Sequence, residues 1–205
     1  MALGRPRGFD TDLALDQALQ VFWRKGYAGT SLADLTAAME INRPSLYAAF
    51  GNKESLFRAA LARYVERAGK HYAAALVQPD VRDAVRALWN GGLDLIACPR
   101  GPKGCFLIQA ALAGDDDSDP LRREAAKQRA KSEKSLRERF ARAIAEGDLP
   151  ADADAAALAK YVATVAHGMS VQAAGGASRA ELDRVVELAL AGLPGRPARS
   201  RRPRD

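Results

Sequence analysis

The sequence predicts an all-α protein in which a small N-terminal three-helix domain precedes a larger helical domain. Three observations lead to this prediction. Apolar residues recur at helical spacing through most of the 205 residues, whereas the alternation typical of strands is nearly absent. Residues that favour helix N-caps precede the apolar runs. Glycines and prolines fall between the runs, where the chain is expected to change direction.

Four helices are predicted in the first part of the chain. Apolar residues spaced i, i+3, i+4 and i+7 mark the first helix from Leu15 to Phe22, and Gly26 is expected to end it in the left-handed conformation. The third helix tolerates Pro44 in its first turn, where backbone N–H groups have no helical partner. A long fourth helix is expected to run to Tyr72 or beyond. The expected N-caps of the second and third helices are Ser31 and Asn42, and the fourth helix is expected to start at Asn52.

Five further helices are predicted in the remainder. The segment from Cys98 to Gly104 is expected to be a loop because it holds two prolines and two glycines, and a short apolar helix runs from Cys105 to Ala113. An acidic loop from Asp115 to Asp119 precedes a long charged helix. An Ala-rich helix reaches Ala174, and a capping box opens the last helix. The expected N-caps in this part are Asp119, Asp152 and Ser178, and Asp80 precedes the apolar residues of the fifth helix.

Composition narrows the class of protein. Two cysteines among 205 residues exclude a disulfide framework and favour a reducing, intracellular setting. The first ten residues lack the apolar region of a signal peptide, and no stretch reaches the roughly 18 uninterrupted apolar residues of a membrane helix. We therefore expect a soluble, cytoplasmic protein that is not a membrane protein.

The net charge of +6 is concentrated at the two ends of the chain. Residues 1–75 carry ten Lys and Arg against seven Asp and Glu, residues 76–191 carry 16 against 17, and residues 192–205 carry five against one. This distribution suggests a polyanion-binding N-terminal part, a neutral body and a basic tail. The alternative is that a modest positive charge serves solubility alone.

The second and third helices, joined by a tight turn from Met39 to Asn42, have the size and spacing of a helix-turn-helix. Three elements occur here in order: F-x-x-x-G-Y-x-x-T-S-L from Phe22, S-L-Y-x-x-F from Ser45 and N-K-E from Asn52. In these elements, residues 8–57 closely resemble the DNA-binding domain of the TetR/AcrR family of transcriptional regulators. The resemblance implies an N-terminal DNA-binding domain and a C-terminal ligand-binding and dimerisation domain.

Domain limits are placed accordingly. A basic N-terminal arm is expected at residues 1–8, the helix-turn-helix domain at 9–55, the effector-binding and dimerisation domain at 56–192, and a disordered basic tail at 193–205. The tail is expected to be solvated, although a contact with DNA is conceivable.

The expected DNA contacts come partly from the resemblance and partly from side-chain chemistry. The resemblance implies recognition-helix contacts at Arg43, Pro44, Ser45 and Tyr47 and a phosphate contact at Lys53. Arg43 has the chemistry for a bidentate bond to guanine. Thr30 and Ser31 can donate to a phosphate beside a helix N-terminus. Arg5 and Arg7 can enter the minor groove from a flexible arm.

This sequence departs from the family pattern at the turn. Glu40 stands where relatives usually have glycine, so the turn either accepts a left-handed glutamate or takes another geometry. Tyr47 and Phe50 are also candidates for the core, and for Phe50 the core is favoured over a DNA contact. At three positions this sequence has alanine where relatives often carry larger or basic residues, and fewer direct base contacts are expected as a result. These positions are Ala33, Ala48 and Ala49.

The C-terminal domain offers residues suited to an apolar pocket for an unknown small-molecule or electrophile effector. Such pockets combine apolar walls with a few polar groups, and any one of the candidates is alternatively ordinary core. The candidate pocket residues are Tyr72, Trp89, Cys105, Phe106, Gln109, Tyr161, His167 and Met169.

Cys105 is a candidate redox or electrophile sensor. It follows Gly104 at an expected helix start near Lys103 and Arg100, and both a helix N-terminus and cations favour a thiolate. The segment K-G-C-F also resembles the region of the reactive cysteine in oxidant-responsive members of the family. The alternative is a buried, inert thiol. Cys98 is a candidate partner for an oxidised Cys105.

No metal or cofactor is expected, because the cysteines and histidines fit no ligand spacing.

Homodimerisation is expected through the last two helices, whose residues equally suit an intrachain core. The favoured function is a repressor that binds a palindromic double-stranded DNA operator. The alternatives are an effector-independent architectural DNA-binding protein and an enzyme with a Cys105–His167 dyad. The expected dimer residues are Ala155, Ala159, Val162, Val165, Ala166, Val185, Val186 and Ala189.

Overall fold

The computed structural model describes residues 9–98, 101–112 and 119–195, and these residues form helices and connecting turns with no strand. The all-α prediction is confirmed. The predictions for the N-terminal arm, which include Arg5 and Arg7, and for residues 196–205 of the basic tail lie outside the described residues. Within the described part, no helix is both long enough and apolar enough to cross a membrane.

The N-terminal helices are α1 (Thr11–Lys25), α2 (Leu32–Met39), α3 (Arg43–Phe50) and α4 (Lys53–Leu76). The predicted caps Ser31 and Asn42 are confirmed, and Asn52, the predicted start of α4, is its cap. Each of the three side chains accepts a hydrogen bond from a backbone N–H in the first turn of the helix that follows. Gly26 ends α1 with φ 70° and ψ 177°. The predicted left-handed conformation is wrong for Gly26, because its ψ is extended, although its positive φ still favours glycine.

The C-terminal helices are α5 (Val81–Ile96), α6 (Phe106–Leu112), α7 (Asp119–Ala145), α8 (Ala155–Ala174) and α9 (Arg179–Ala191). The predicted cap Ser178 is confirmed, and Asp80, which precedes the apolar residues of α5, is the cap of that helix. Asp119 is the first residue of α7 rather than its cap. Asp152 was predicted to cap α8, but Asp154 is the cap, because the Ala153 N–H bonds to the Pro150 carbonyl and extends the preceding turn.

The core consists of two clusters of buried side chains. One lies among α1 to α4 and also takes in Phe106 and Ala110 of α6 and Leu121 and Ala125 of α7. The other joins α5, α7, α8 and α9. Helix α4 contributes to both clusters and runs through the predicted domain boundary between residues 55 and 56. The two predicted domains are therefore joined by a continuous helix and by shared packing through α6.

The described chain remains packed beyond the end of α9. Leu193 is only 4% exposed. The Arg82 guanidinium donates to the carbonyl oxygens of Leu190 and Leu193 at 2.7 Å and 2.9 Å. We expected the disordered tail to begin at residue 193, and this start is corrected, since Leu193 belongs to the packed body.

Candidate nucleic-acid interface and ligand cavity

The turn between α2 and α3 accepts a left-handed glutamate. Glu40 has φ 54° and ψ 37°, and it is the one non-glycine residue with positive φ among those the structure describes. The Ile41 N–H donates to the Thr36 carbonyl at 3.1 Å and closes the end of α2. Of the two geometries considered for this turn, the left-handed one is observed, at a cost of about 1 kcal/mol relative to glycine.

Helix α3 exposes one face and buries the other. Leu46 is fully buried, whereas Arg43, Pro44 and Tyr47 are exposed. The exposed fraction of Tyr47 is 47%. The Asn42 side chain accepts the Ser45 N–H at 2.9 Å and fixes the first turn. The exposed face is therefore available to a partner, and the alternative that placed Tyr47 in the core does not hold.

Phe50 lies at the other end of α3 and is half-buried. It packs against the cluster formed by α1 to α4. This placement agrees with the core interpretation that was favoured for this residue.

Lys53 opens α4 beside the recognition helix. Its Nζ lies 4.4 Å from the centroid of the Tyr27 ring, and this cation–π contact holds the ammonium group near the end of the turn before α2. Tyr27 in turn packs edge-on against Phe57, with ring centroids 5.4 Å apart. A lysine fixed in this way is preorganised for a phosphate contact, which stays a prediction.

Thr30 does not have the expected phosphate-binding geometry. It is 1% exposed, its hydroxyl donates to the Gly26 carbonyl at 2.6 Å, and its N–H bonds to the Tyr27 carbonyl at 3.3 Å. Both of its donors are therefore engaged in the turn after α1. The prediction for Thr30 is corrected: it holds the turn rather than facing a phosphate.

Ser31 is exposed but is used as a helix cap. Its hydroxyl donates to the Asp34 carboxylate at 2.8 Å and accepts the Asp34 N–H at 3.0 Å. Lys25 also bonds to this carboxylate at 2.6 Å. The bond from Lys25, followed by those from Ser31, holds the pKa of Asp34 well below its usual range. A phosphate would have to compete with Asp34 for the Ser31 hydroxyl.

A cavity of about 170 Å³ lies between α4, α5, α6 and α8. Of the predicted pocket residues, Tyr72, Cys105 and His167 line it. The other residues that line this cavity are Tyr64, Ala68, His71, Leu88, Gly92, Leu95, Ile96, Ile108, Ala166 and Ser170.

Three of the predicted pocket residues belong to the core instead. Trp89 is fully buried, and its indole N–H donates to the Val162 carbonyl at 3.1 Å. Met169 is buried in the same cluster. Phe106 faces the other way, into the cluster of α1 to α4. The alternative reading as ordinary core is correct for all three.

Two further predicted pocket residues are held outside the cavity. The Gln109 amide donates to the Lys103 carbonyl at 2.7 Å. The Tyr161 hydroxyl donates to the Ala189 carbonyl at 2.9 Å and ties α8 to α9. Neither side chain lines the cavity, so these two predictions are corrected as well.

The sequence did not single out two polar residues that line the cavity around Cys105. The Tyr64 hydroxyl donates to the Cys105 sulfur at 3.1 Å, and the Cys105 N–H donates to the Ser170 hydroxyl at 2.7 Å. Tyr64 fits the apolar spacing of α4, and Ser170 is a small side chain between Met169 and Val171. The signal in the sequence is the i, i+3/i+4 spacing from Ala166 and His167 to Ser170, which places these three residues on one face of α8.

Three ionisable side chains of this cavity, His167, Tyr72 and Tyr64, have pKa values shifted so that their uncharged forms are favoured. Burial lowers the pKa of His167, and the positive charge of Arg129 lowers it further. Burial raises the pKa of Tyr72, and burial together with the Cys105 thiol raises that of Tyr64. Within the described residues, no group of His, Cys, Asp and Glu side chains is suited to hold a metal.

The two cysteines are free thiols that line different cavities. Cys98 lies beside Gly101 in a cavity that also contacts Trp23. The Lys103 ammonium, expected to favour a Cys105 thiolate, donates to the Ala97 carbonyl at 3.2 Å. Arg100 lies outside the described residues. The direct partner of the Cys105 thiol is therefore the neutral Tyr64 hydroxyl rather than a cation or His167.

Helices α8 and α9 share an exposed apolar surface. Tyr161 and Val171 of α8 and Val185 and Leu188 of α9 are exposed, Leu188 by 76%. Of the eight predicted dimer residues, Val185 alone is exposed. The other seven are buried or partly buried in the core of the same chain, as the alternative reading allowed: Ala155, Ala159, Val162, Val165, Ala166, Val186 and Ala189.

Comparison with known families gives two matches. The family described as "Bacterial regulatory proteins, tetR family" matches residues 14–60, which span most of α1 to the first part of α4. The family described as "Tetracyclin repressor-like, C-terminal domain" matches residues 81–189, from α5 into α9. Together, these matches cover most of the chain.

Comparison with individual proteins gives relatives over nearly the full length. The chain is 36% identical over 188 residues to the HTH-type transcriptional repressor ComR of Escherichia coli, covering 91% of this chain and 88% of ComR. A cysteine mutant of the TetR family transcriptional regulator CifR, solved with 26-base-pair operator DNA, is 46% identical with a TM-score of 0.89, over 93% of this chain and 100% of that chain. A putative TetR regulator from a Rhodococcus species is 40% identical with a TM-score of 0.63, over 91% of this chain and 100% of that chain.

Proposed function

Because the chain belongs to the TetR family of bacterial regulatory proteins, we propose that it is a homodimeric repressor which an effector releases from a palindromic operator. As a member of this family, it is a DNA-binding transcriptional regulator and not an enzyme. The observation that carries the proposal is the helix-turn-helix, in which capped helices meet at Glu40 and α3 exposes a face with Arg43 and Tyr47. The operator complex of CifR supports it.

The exposed face of α3 is assigned to the major groove. Arg43 supplies the bidentate fork for guanine, with Tyr47 one helical turn further on the same face. Other contacts position the domain on the DNA backbone. They are assigned to Lys53, to Ser31 at the start of α2, to Pro44 and Ser45 in the first turn of α3, and to Arg5 and Arg7 of the N-terminal arm.

The exposed surface of α8 and α9 is assigned to the dimer. The Leu188 side chain is mostly exposed. The hydrogen bond from the Tyr161 hydroxyl to the Ala189 carbonyl holds the two helices together. Two such helix pairs, related by a two-fold axis, form a four-helix interface. The same axis would place the two recognition helices on half-sites of a palindrome.

The trigger is assigned to the cavity around Cys105, either by binding of a small molecule or by modification of the thiol. Its wall contains Tyr64 of α4, whose ring packs edge-on against Trp23 of α1 with centroids 4.9 Å apart. Arg67 of α4 pairs with Asp16 of α1 at 2.5 Å. A displacement of α4 at Tyr64 is thereby passed to the DNA-binding head. Release requires a coupling of about 1 to 3 kcal/mol between the two sites.

DNase footprinting of the DNA upstream of the gene tests this function. Protection of two inverted half-sites at low protein concentration is the expected result. Protection without sequence preference, lost steeply as salt is raised, would favour the architectural alternative, in which the basic ends bind the phosphate backbone.

A further inference from the structure

Resting on the effector site proposed above, we infer that the cavity between α4, α5, α6 and α8 takes a compact, uncharged and largely apolar molecule that carries a hydrogen-bond acceptor. The charge of the walls is the first observation. None of the thirteen residues that line this cavity is Asp, Glu, Lys or Arg. Its walls are mostly aliphatic and aromatic, and two of its hydroxyl groups, those of Tyr64 and Ser170, lie beside Cys105.

The walls exclude a charged ligand. A carboxylate or ammonium group loses hydration on entry, and a lining without Asp, Glu, Lys or Arg offers it no ion pair with these side chains. The imidazole of His167 is neutral there, because burial and the nearby Arg129 lower its pKa. The ligand is therefore uncharged.

The volume sets the size of the ligand. The cavity measures about 170 Å³. An apolar protein cavity of about 150 Å³ is known to hold one benzene molecule. The site therefore accommodates a single substituted ring or an aliphatic molecule of similar bulk.

Ser170 supplies the polar contact. It is 2% exposed, and its hydroxyl accepts the Cys105 N–H. Among the described residues, no acceptor receives the Ser170 hydroxyl proton. The other two hydroxyls of the cavity are already committed, Tyr64 to the Cys105 sulfur and Tyr72 to the Ser132 carbonyl. A buried hydroxyl whose proton has no acceptor is suited to donate a hydrogen bond to an oxygen atom of the ligand.

Calorimetric titration of the full chain with three probes tests the inference. Acetophenone, cumene and benzoate have the same number of heavy atoms and differ in one group: a carbonyl, a hydrocarbon and a carboxylate. Acetophenone is expected to bind about fivefold more tightly than cumene, because of one hydrogen bond, and benzoate at least about tenfold more weakly than acetophenone. Tighter binding of benzoate, or no binding of any probe, would overturn the inference.

Two variants place the probe in this cavity. A Cβ at Gly92 of α5 meets no atom within 4 Å, and Gly92 lines the cavity, so the Gly92→Leu side chain is expected to occupy cavity space and to abolish acetophenone binding. Gly69→Leu is the matched control, since Gly69 also has open space but lines a different groove. Retained binding in Gly92→Leu, or equal loss in both variants, would contradict the assignment. Melting curves check that both variants fold.

Ser170→Ala tests the polar contact separately. The preference for acetophenone over cumene is expected to fall from about fivefold to none. Because the comparison is between two probes on one protein, a general loosening around Cys105 affects both and cancels. An unchanged preference would remove Ser170 from the site.

Operator binding without any probe keeps the two proposals distinct. A chain that fails to bind its upstream DNA contradicts the proposed repressor, whatever the probes do. A chain that binds this DNA but takes benzoate in preference keeps the repressor function and loses the inferred ligand class.

Discussion

The indole nitrogen of Trp23 donates a 2.9 Å hydrogen bond to the carbonyl oxygen of Gly104. This buried bond joins α1 of the DNA-binding head to the loop before α6. Gly104 also touches α8: with φ at 78°, a Cβ built on it would lie 2.9 Å from the Ala174 Cβ and 3.0 Å from the Ser170 carbonyl oxygen. One backbone position therefore connects the head with the helix proposed for the dimer.

Gly104→Ala is expected to lower the free energy of unfolding by about 3 kcal/mol, since strain at positive φ adds to overpacking against α8. Gly147→Ala is the control, because Gly147 has φ 74° with open space around its Cβ position, and only about 1 kcal/mol is expected there. Chemical denaturation measures both. Equal losses would show that the contact between Gly104 and α8 is not tight.

Lys53→Ala is expected to reduce by about one the slope of log Kd for operator DNA against log salt, because one phosphate contact is lost. Thr30→Val is expected to leave this slope unchanged and to lower the free energy of unfolding by about 1 to 2 kcal/mol, since the Gly26 carbonyl loses its donor. Fluorescence anisotropy at several salt concentrations gives the slopes. A reduced slope in Thr30→Val would restore the phosphate contact that its burial argues against.

The Asp34 carboxylate makes the stability of the head depend on pH. Bonds from Lys25 and Ser31 lower its folded pKa below the ordinary value of 3.8, so ionised Asp34 stabilises the folded state above that pH. This contribution is lost as the pH falls through 3.8 towards the folded pKa. Melting temperatures of Asp34→Asn and the unmodified chain are therefore expected to differ at pH 6 and to converge below about pH 4. A difference that persists undiminished in acid would contradict this account.

Leu188→Glu is expected to convert the proposed dimer to monomers, because it places a charge on the exposed surface of α8 and α9 that is proposed for the dimer. Val77→Glu is the control, since Val77 is equally exposed at the end of α4, outside that surface. Sedimentation velocity measures the oligomeric state. A Leu188→Glu chain that stays dimeric would place the interface elsewhere.

Local features could be predicted from the sequence, and features that depend on packing between distant segments could not. Ser31 and Asn42 were identified as caps because a cap bonds within three residues of itself. Asp152 and Asp154 are both plausible caps two residues apart, and only the turn at Pro150 decides between them.

The cavity shows the limit more clearly. Trp89 and Met169 have the chemistry of a pocket residue, but the packing of α5 against α8 and α9 buries them in the core. Ser170 resembles any small residue of α8 until the fold brings the Cys105 N–H to its hydroxyl. Helix type and boundaries follow from neighbours in the sequence, whereas the lining of a cavity depends on the angles between helices.

The central claim is that the exposed face of α3 reads a DNA sequence, and the ratio of Kd values for a scrambled fragment and the upstream fragment tests it most directly. For the unmodified chain this ratio is expected to be at least about 1,000. Arg43→Ala is expected to lower it by about 10- to 100-fold, while Arg137→Ala, which removes the same charge from α7, leaves it unchanged. A ratio near one for the unmodified chain, or equal effects of the two variants, would contradict the account.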